Sequence, residues 1–524
     1  MRILAALLLL ASGVWAQERF DVLITGAKVV DGSGGPWFYG DIGIKGDSIA
    51  AVGLLPGADA AVRIDGRGLA VSPGFIDIHS HGRRGIMPVP TAENYLREGV
   101  TTIVEGPDGS SPLPLGPFLD QMSHTPISIN FASMVGQGTI RERVIGLANR
   151  KATPEEIAKM KALAAQAMHD GAFGLSTGLY YVPGNFTPTE EIIEIAKVVG
   201  RLGGIHISHM REEASHVLDS VRETIRIGEE GGLPTQITHH KIIGKQNWGA
   251  SVESLKLVEA ARARGVDVTI DAYPYTASST GIAALFPQWA LEGGQKATVE
   301  RLNAPAQLAR IRATIVENIK FDRGGGDPKN IAIASCGFDK SLAGKNLAQI
   351  TQERGAAVTI ENAADTAIDL QKKGGCSAIY HAIGEEDVVR ILRSPYTMIA
   401  SDGEIPVFGQ ASPHPRSYGT FARVLGVYVR ERHVLTLEEG VRRMSGFPAQ
   451  RLELWDRGLL RPGMKADIVV FDPAEIGDRA TYEKPHQYSV GVRDVLVNGK
   501  LVLHDGKVTA ERSGRVLRSA AVGL

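Results

Sequence analysis

Eight apolar, strand-like runs alternate with helical stretches across the middle of the chain, and glycine-punctuated β-like segments lie at both ends. These observations predict an α/β fold, a (β/α)8 TIM-like barrel with a small β-sandwich domain built from both chain termini. A third observation adds an insertion between barrel strands 7 and 8. The seventh and eighth runs stand far apart, and the interval of about 283–384 holds helical sequence such as Gln307–Ile319 and the turn Asp322-Arg323-Gly324-Gly325-Gly326. We read it as a lid over the barrel mouth. A doubly wound open sheet is the alternative, but no glycine-rich dinucleotide fingerprint follows the first run.

The chain opens with a basic start, Met1-Arg2, an apolar stretch from Ile3 to Leu10, and the small-residue ending Val14-Trp15-Ala16. This pattern predicts a cleaved signal peptide over 1–16 and a secreted or periplasmic product. A buried helix or membrane anchor is the other reading, but the stretch falls short of the roughly 20 apolar residues a span needs. No later segment reads as membrane-spanning, so no membrane partner is expected after signal removal.

Residues 17–72 form the first part of the sandwich, with β-like runs at Phe20 to Thr25, Lys28 to Val30, Asp41 to Lys45 and Ser48 to Val52. Residues 456–524 supply the rest, with Asp467 to Phe471, Val495 to Val497 and Lys500 to His504. Neither piece alone has enough strands for a stable sheet. The barrel occupies 73–455, with runs at Phe75–His81, Thr101–Gly106, Ile127–Met134, Ala172–Ser176, Gly204–His209, Thr235–His240, Val266–Tyr273 and Thr397–Asp402. Thr153-Pro154-Glu155-Glu156 reads as a helix start with Thr as N-cap, Pro in the first turn and Glu at the third position, and Thr187-Pro188-Thr189-Glu190 repeats that grammar.

The 524 residues are 43% hydrophobic and 22% charged, with net charge −1. That balance, without a Lys/Arg-rich run, points away from nucleic acid as a partner. Cys336 and Cys376 are the two cysteines. Export permits a disulfide, but two cysteines in so long a chain are expected as separate buried thiols.

Chemistry concentrates at strand ends. In Pro73-Gly-Phe-Ile-Asp-Ile-His-Ser-His81, side chains alternate, so Ile76 and Ile78 face one way and Asp77, His79 and His81 the other. Two imidazoles leave one strand end in parallel, as adjacent metal ligands must. Active sites of such barrels lie at the C-terminal strand ends. Glu105 and Asp108 end the second run, His209 the fifth, His239 and His240 the sixth, and Asp402 the eighth. Imidazole with carboxylate suits zinc or a similar divalent ion. Singly, His209 or His240 reads equally as a hydrogen-bonded core histidine, and Asp402 as a turn residue. His124, His169, His216, His433 and His504 fall in helix-end or surface contexts and read as structural. A carboxylate such as Asp402, beside water activated by the ion, can act as general base and then return the proton to the leaving group, which points to amide or ester hydrolysis.

From about Asp21 to Arg518 the chain resembles the amidohydrolase superfamily, and within it the N-acyl-D-amino-acid deacylases (D-aminoacylases). The motifs that carry this are Pro73–His81, Gly174-Leu-Ser-Thr-Gly-Leu-Tyr-Tyr181, Ser208-His-Met-Arg211, Thr238-His-His-Lys241, Asp271-Ala-Tyr-Pro-Tyr275, Ser401-Asp-Gly403, His414-Pro-Arg416 with Gly419-Thr-Phe421, and Val497-Asn-Gly499. The resemblance implies that His209 and His239 are the tight metal ligands and His79 and His81 the ligands of a second, weaker site. It implies Asp402 as the catalytic aspartate, Lys241 and Arg416 as cations for the substrate carboxylate, and Tyr273 and Ser279 as contacts to the scissile carbonyl and substrate. A cation pair with arginine's planar fork suits a carboxylate, and a tyrosine hydroxyl can stabilise an oxyanion.

The chain departs from the family pattern in three places. The Gly-x-Cys-Gly turn after the second strand is Gly106-Pro107-Asp108-Gly109 here, so Asp108 stands in the cysteine's place as metal ligand, with Glu105 as its competitor. Gly82-Arg83-Arg84 replaces the acidic residue after His-x-His, as solvated surface or facing an acidic substrate group. Gln137 stands where the family commonly has histidine. The expectation is a zinc enzyme, with one or two ions, acting on a small-molecule N-acyl amino acid. A cyclic amidase or dipeptidase on the same scaffold is the second reading. A hydantoinase-like enzyme would need a bridging carboxylated lysine where Leu175-Ser176-Thr177-Gly178 stands. A non-catalytic metal-binding protein is the third, opposed by the presence of both cations and Asp402.

Overall fold

The computed structural model describes residues 19–519; the expected signal at 1–16 lies outside them. Each of the eight expected runs becomes a barrel strand in the expected order. Parallel pairing runs from Phe75–Asp77 to Val100–Glu105 and Asn130–Ser133, which continues after a break as Val135–Gly136. It proceeds through Gly174–Gly178, Ile205–His209, Thr235–Ile237 and Val268–Ala272 to Thr397–Ile399. The ring closes where Ser80 bridges Gly403 in parallel, with the His81 amide donating to the Gly403 carbonyl (2.7 Å) and the Asp402 amide to the His79 carbonyl (2.9 Å). Every residue of these strands is buried, which is why they read as continuous apolar runs flanked by polar strand ends. Helices such as Pro154–His169, Thr189–Arg201 and Val217–Gly231 pack in sequence around them.

The two similar helix starts behave differently. Thr153 and Glu156 close a reciprocal capping box, at 3.3 and 2.8 Å. Thr187 does not cap its helix; its hydroxyl instead accepts hydrogen bonds from Arg141 Nε (3.0 Å) and Gln137 Nε2 (3.2 Å), two buried donors with a stronger claim on it.

The chain ends meet in a nine-stranded sheet among the described residues. Ala70–Pro73 is the joint, running parallel to Lys28 and Val29 and antiparallel to Ile468–Phe471. The two expected runs at Phe20 and Lys28 merge into one bulged strand, Arg19–Val29. Asp59–Asp65, which the sequence pattern did not mark, pairs with it in parallel.

Between Val268–Ala272 and Thr397–Ile399 stands a separate three-stranded antiparallel sheet of Ser278–Gly281, Ile331–Cys336 and Cys376–Tyr380, with helices Gly294–Asn303, Pro305–Phe321, Leu347–Glu353 and Ile360–Lys372. These elements bury their own apolar cluster, including Leu285, Ile315, Ile333 and Leu370. Contrary to the expectation of separate thiols, Cys336 and Cys376 form a disulfide. The two residues are directly paired across neighbouring strands, a juxtaposition that a sequence separation of 40 conceals.

Candidate metal centre

The C-terminal strand ends bring together two groups of residues able to hold a metal ion, and the groups share one residue. His79, His81, Asp108 and Asp402 form the first, and Asp108, His209 and His239 the second. Asp108 Oδ1 lies 3.5 Å from both His79 Nε2 and His239 Nε2; Oδ2 lies 3.4 Å from His81 Nε2 and 3.6 Å from His209 Nδ1. A tetrahedral zinc ion with bonds of about 2.0–2.1 Å holds its ligand atoms roughly 3.4 Å apart. These separations match ligands around an ion and are long for direct hydrogen bonds. Among the described residues, both ring nitrogens of His79 and Asp108 Oδ1 are buried without a hydrogen-bond partner. The donor set therefore fits a divalent metal.

Three non-glycine residues at this point adopt left-handed backbone: Asp108 (φ 54°), His239 (φ 36°) and Asp402 (φ 51°). That conformation costs energy for residues with a side chain. At Asp108 it belongs to the turn Gly106-Pro107-Asp108-Gly109, whose glycines also have positive φ, and the turn aims the carboxylate inward. At His239 the strained amide donates to Asp271 Oδ1 at 2.6 Å. Three of the nine non-glycine residues with positive φ among the described residues therefore gather at this one centre.

The charges are interlocked. Burial alone would raise Asp108, but His79 and His209 hold its carboxyl well below the ordinary range. Burial likewise opposes ionisation of Asp402, and the Arg416 guanidinium, 2.8 Å from its Oδ2, keeps it well below that range. Asp402 Oδ1 stands 3.1 Å from His81 Nε2. Glu105 does not join the ligands. It accepts the backbone N–H groups of Arg83 and Gly106, and burial raises its pKa. Geometry thus favours Asp108 over its competitor. His240 turns away to Ser254 Oγ (2.8 Å), with burial pulling its pKa to about 3, as befits a neutral core histidine.

Sequence reasoning missed Glu213. Only 1% exposed, it lies in the loop after the fifth strand. Its Oε1 lies 3.3 Å from His239 Nδ1 and its Oε2 3.7 Å from His209 Nε2, while the opposite nitrogen of each ring faces Asp108. One carboxylate therefore backs both imidazoles. It also pairs with Lys241 Nζ (2.5 Å) and Arg323 Nη2 (3.2 Å). Lys241 Nζ lies 2.6 Å from His239 Nδ1 as well, so lysine and imidazole compete for the same carboxylate oxygen. Arg323, from the glycine-rich turn, was also missed; its guanidinium stacks 4.5 Å from the Tyr180 ring. The signal available was weak: a Glu-Glu pair four residues past a ligand, and one arginine beside three glycines.

A cavity of about 730 Å³ opens over this centre. His81, Asp108, His209, His239, Lys241, Ser279, Asp402 and Arg416 line it. His79 and Tyr273 sit behind the lining. Tyr273 lies between the two cations, 5.7 Å from Lys241 Nζ and 4.8 Å from Arg416 Cζ, and its hydroxyl is buried without a hydrogen-bond partner among the described residues. Arg83 is half-buried in the cavity wall, while its neighbour Arg84, also lining, is exposed. Gln137 is buried against Thr187 and does not line the cavity.

Residues 351–503 match the model of the amidohydrolase family. The chain is 38% identical to the D-aminoacylase of Alcaligenes xylosoxydans xylosoxydans over 96% of its own length and 99% of the relative's. This chain belongs to the D-aminoacylase family of amidohydrolases. A D-aminoacylase crystal structure superposes with TM-score 0.82 at 37% identity, covering 95% of this chain and 100% of that one. The N-acyl-D-glutamate deacylase of Bordetella bronchiseptica, solved with zinc and a phosphonate mimic of the tetrahedral intermediate, superposes with TM-score 0.82 at 33% identity, covering 96% and 100%. The barrel is the TIM barrel of amidohydrolases, and the candidate ligands lie at its C-terminal strand ends.

Proposed function

We propose that this protein hydrolyses the amide bond of N-acyl-D-amino acids, releasing a carboxylate and a free D-amino acid. The observation that carries the reading is Asp108, one carboxylate spaced as a ligand from four histidines on three different barrel strands, with Asp402 beside it. Family membership supports the D configuration of the substrate.

His209, His239 and Asp108 would hold one zinc ion, and His79, His81 and Asp108 a second. Zinc there supplies a Lewis acid for the acyl carbonyl and lowers the pKa of water toward neutrality. Asp402, kept ionised by Arg416, takes the proton from water as its oxygen adds to the acyl carbon. It then passes that proton to the amide nitrogen, so the C–N bond breaks with a neutral amine leaving. The Tyr273 hydroxyl, lacking another partner, donates to the developing oxyanion. Lys241 and Arg416 flank Tyr273 and bind the substrate carboxylate, while Ser279 contacts the substrate from the cavity wall. Substrate entry between the two cations draws Lys241 away from His239 Nδ1, leaving Glu213 to orient that ring.

We read 17–72 and 456–524 as one β-sandwich domain, 73–455 as the catalytic barrel, and about 283–384 as an insertion covering its mouth. Arg323, Ala334 and Ser377 in the cavity wall support the covering role. We place the enzyme outside the cytoplasm, secreted or periplasmic; the sequence of 1–16 and the Cys336–Cys376 disulfide support that placement. The discriminating experiment is Asp402→Asn. The variant should lose about 10²–10⁴-fold in turnover and still bind metal. A variant with unchanged turnover would remove Asp402 from the chemistry and the mechanism with it.

A further inference from the structure

Beside the metal cavity lies a smaller one of about 270 Å³. Ala283, Ala284, Phe286 and Leu291 give it an apolar wall. Gln295 and Gln371, also in its lining, are joined by a 2.7 Å amide hydrogen bond. The two cavities share Tyr181, Val182, Thr280 and Gly281. Within the partition they form, the Tyr181 hydroxyl and Thr280 Oγ1 are hydrogen-bonded (3.1 Å).

This partition stands on a defined side of the centre. The Tyr181 ring lies 4.6 Å from His209, whereas Arg416 pairs with Asp402. Under the proposed function, on which this inference rests, the leaving nitrogen faces Asp402 and the amino acid carboxylate meets Lys241 and Arg416. The substituent on the acyl carbon then points away from Asp402, toward the Tyr181–Thr280 wall. We propose that the smaller cavity receives the apolar tail of the N-acyl group, so that the preferred substrates carry a medium-length alkyl chain rather than acetyl. At roughly 30 Å³ per methylene, about a water's share of volume, the cavity accepts eight or nine carbons.

The test uses the mature enzyme on N-acetyl-, N-butanoyl-, N-hexanoyl- and N-octanoyl-D-methionine. A fully buried methylene raises kcat/KM about fourfold, so even half-burial gives roughly 50-fold from acetyl to octanoyl. Ala283→Trp, which fills the cavity, should abolish that gain and leave N-acetyl-D-methionine hydrolysis within about twofold of wild type. Leu291→Asp, which puts a charge in the wall, is the second variant should Ala283→Trp fail to fold. A kcat/KM independent of acyl length overturns the proposal. So does a length gain that both variants keep, or one that follows the amino acid side chain at fixed acetyl. Calorimetric binding of octanoate against butyrate separates this from failure of the deacylase reading. Tighter octanoate binding that the variants lose upholds the cavity even where no substrate is hydrolysed; equal binding overturns it.

Discussion

Replacing Glu213 by Gln tests whether one buried carboxylate supports the whole centre. The substitution keeps size and shape but removes the charge between Lys241 at 2.5 Å and Arg323 at 3.2 Å, all three nearly inaccessible to solvent. Breaking a buried ion pair from one side costs about 3–5 kcal/mol, because the stranded cations stay desolvated. Lys241 can limit its share by losing its proton, since burial already lowers its pKa; Arg323 has no such escape. The expected loss is therefore about 3–5 kcal/mol for the metal-free protein, read from urea denaturation. Metal affinity should fall by about 10–100-fold, because the nitrogens of His209 and His239 that face away from Asp108 lose their common partner. The double variant Glu213→Gln/Lys241→Met should recover part of the stability by removing one unpaired cation. A loss below about 1 kcal/mol with unchanged metal affinity would refute the claim that Glu213 carries this load.

Two further outcomes follow from the same structure. His206 is fully buried between Thr177 and Thr235, and burial lowers its pKa from 6.5 to about 3. Below pH 6.5 the unfolded chain takes up this proton and the native one does not, so its contribution is complete above 6.5 and is lost as pH falls toward 3. The cost is about 2 kcal/mol at pH 5, seen as a drop in urea midpoint between pH 7 and pH 5 that His206→Gln flattens; an unchanged slope would contradict it. Cys336→Ser with Cys376→Ser should lower stability by about 4 kcal/mol under the loop-entropy relation for a separation of 40 residues, with thermal unfolding as the measurement and dithiothreitol-treated wild type as the matching control; equal Tm for oxidised and reduced protein would contradict it.

The barrel was legible because buried parallel strands are apolar along their whole length and end in polar residues, as in Ile205–His209 and Val268–Ala272. The terminal sheet was legible where its strands carry buried apolar residues, as in Ile468–Phe471. Asp59–Asp65, with its alternating exposed residues, and the four-residue Ala70–Pro73 carried too little pattern to be found. The strand-end residues that converge on the candidate metal centre could be read because periodicity fixes where a strand stops. Glu213 and Arg323 could not, because neither lies on a strand and they meet only when the segment after Val268–Ala272 folds back across the barrel. The disulfide was hidden because Cys336 and Cys376 meet only through the pairing of two strands that two helices separate in sequence.

The most direct measurement of the central claim is release of free amine from paired N-acetyl-D- and N-acetyl-L-amino acids, with the zinc content of the same preparation determined and then removed by chelation. The account predicts hydrolysis of the D-substrates, loss of activity with the metal and recovery on zinc addition. Equal turnover of L-substrates, or full activity in metal-free protein, would contradict it.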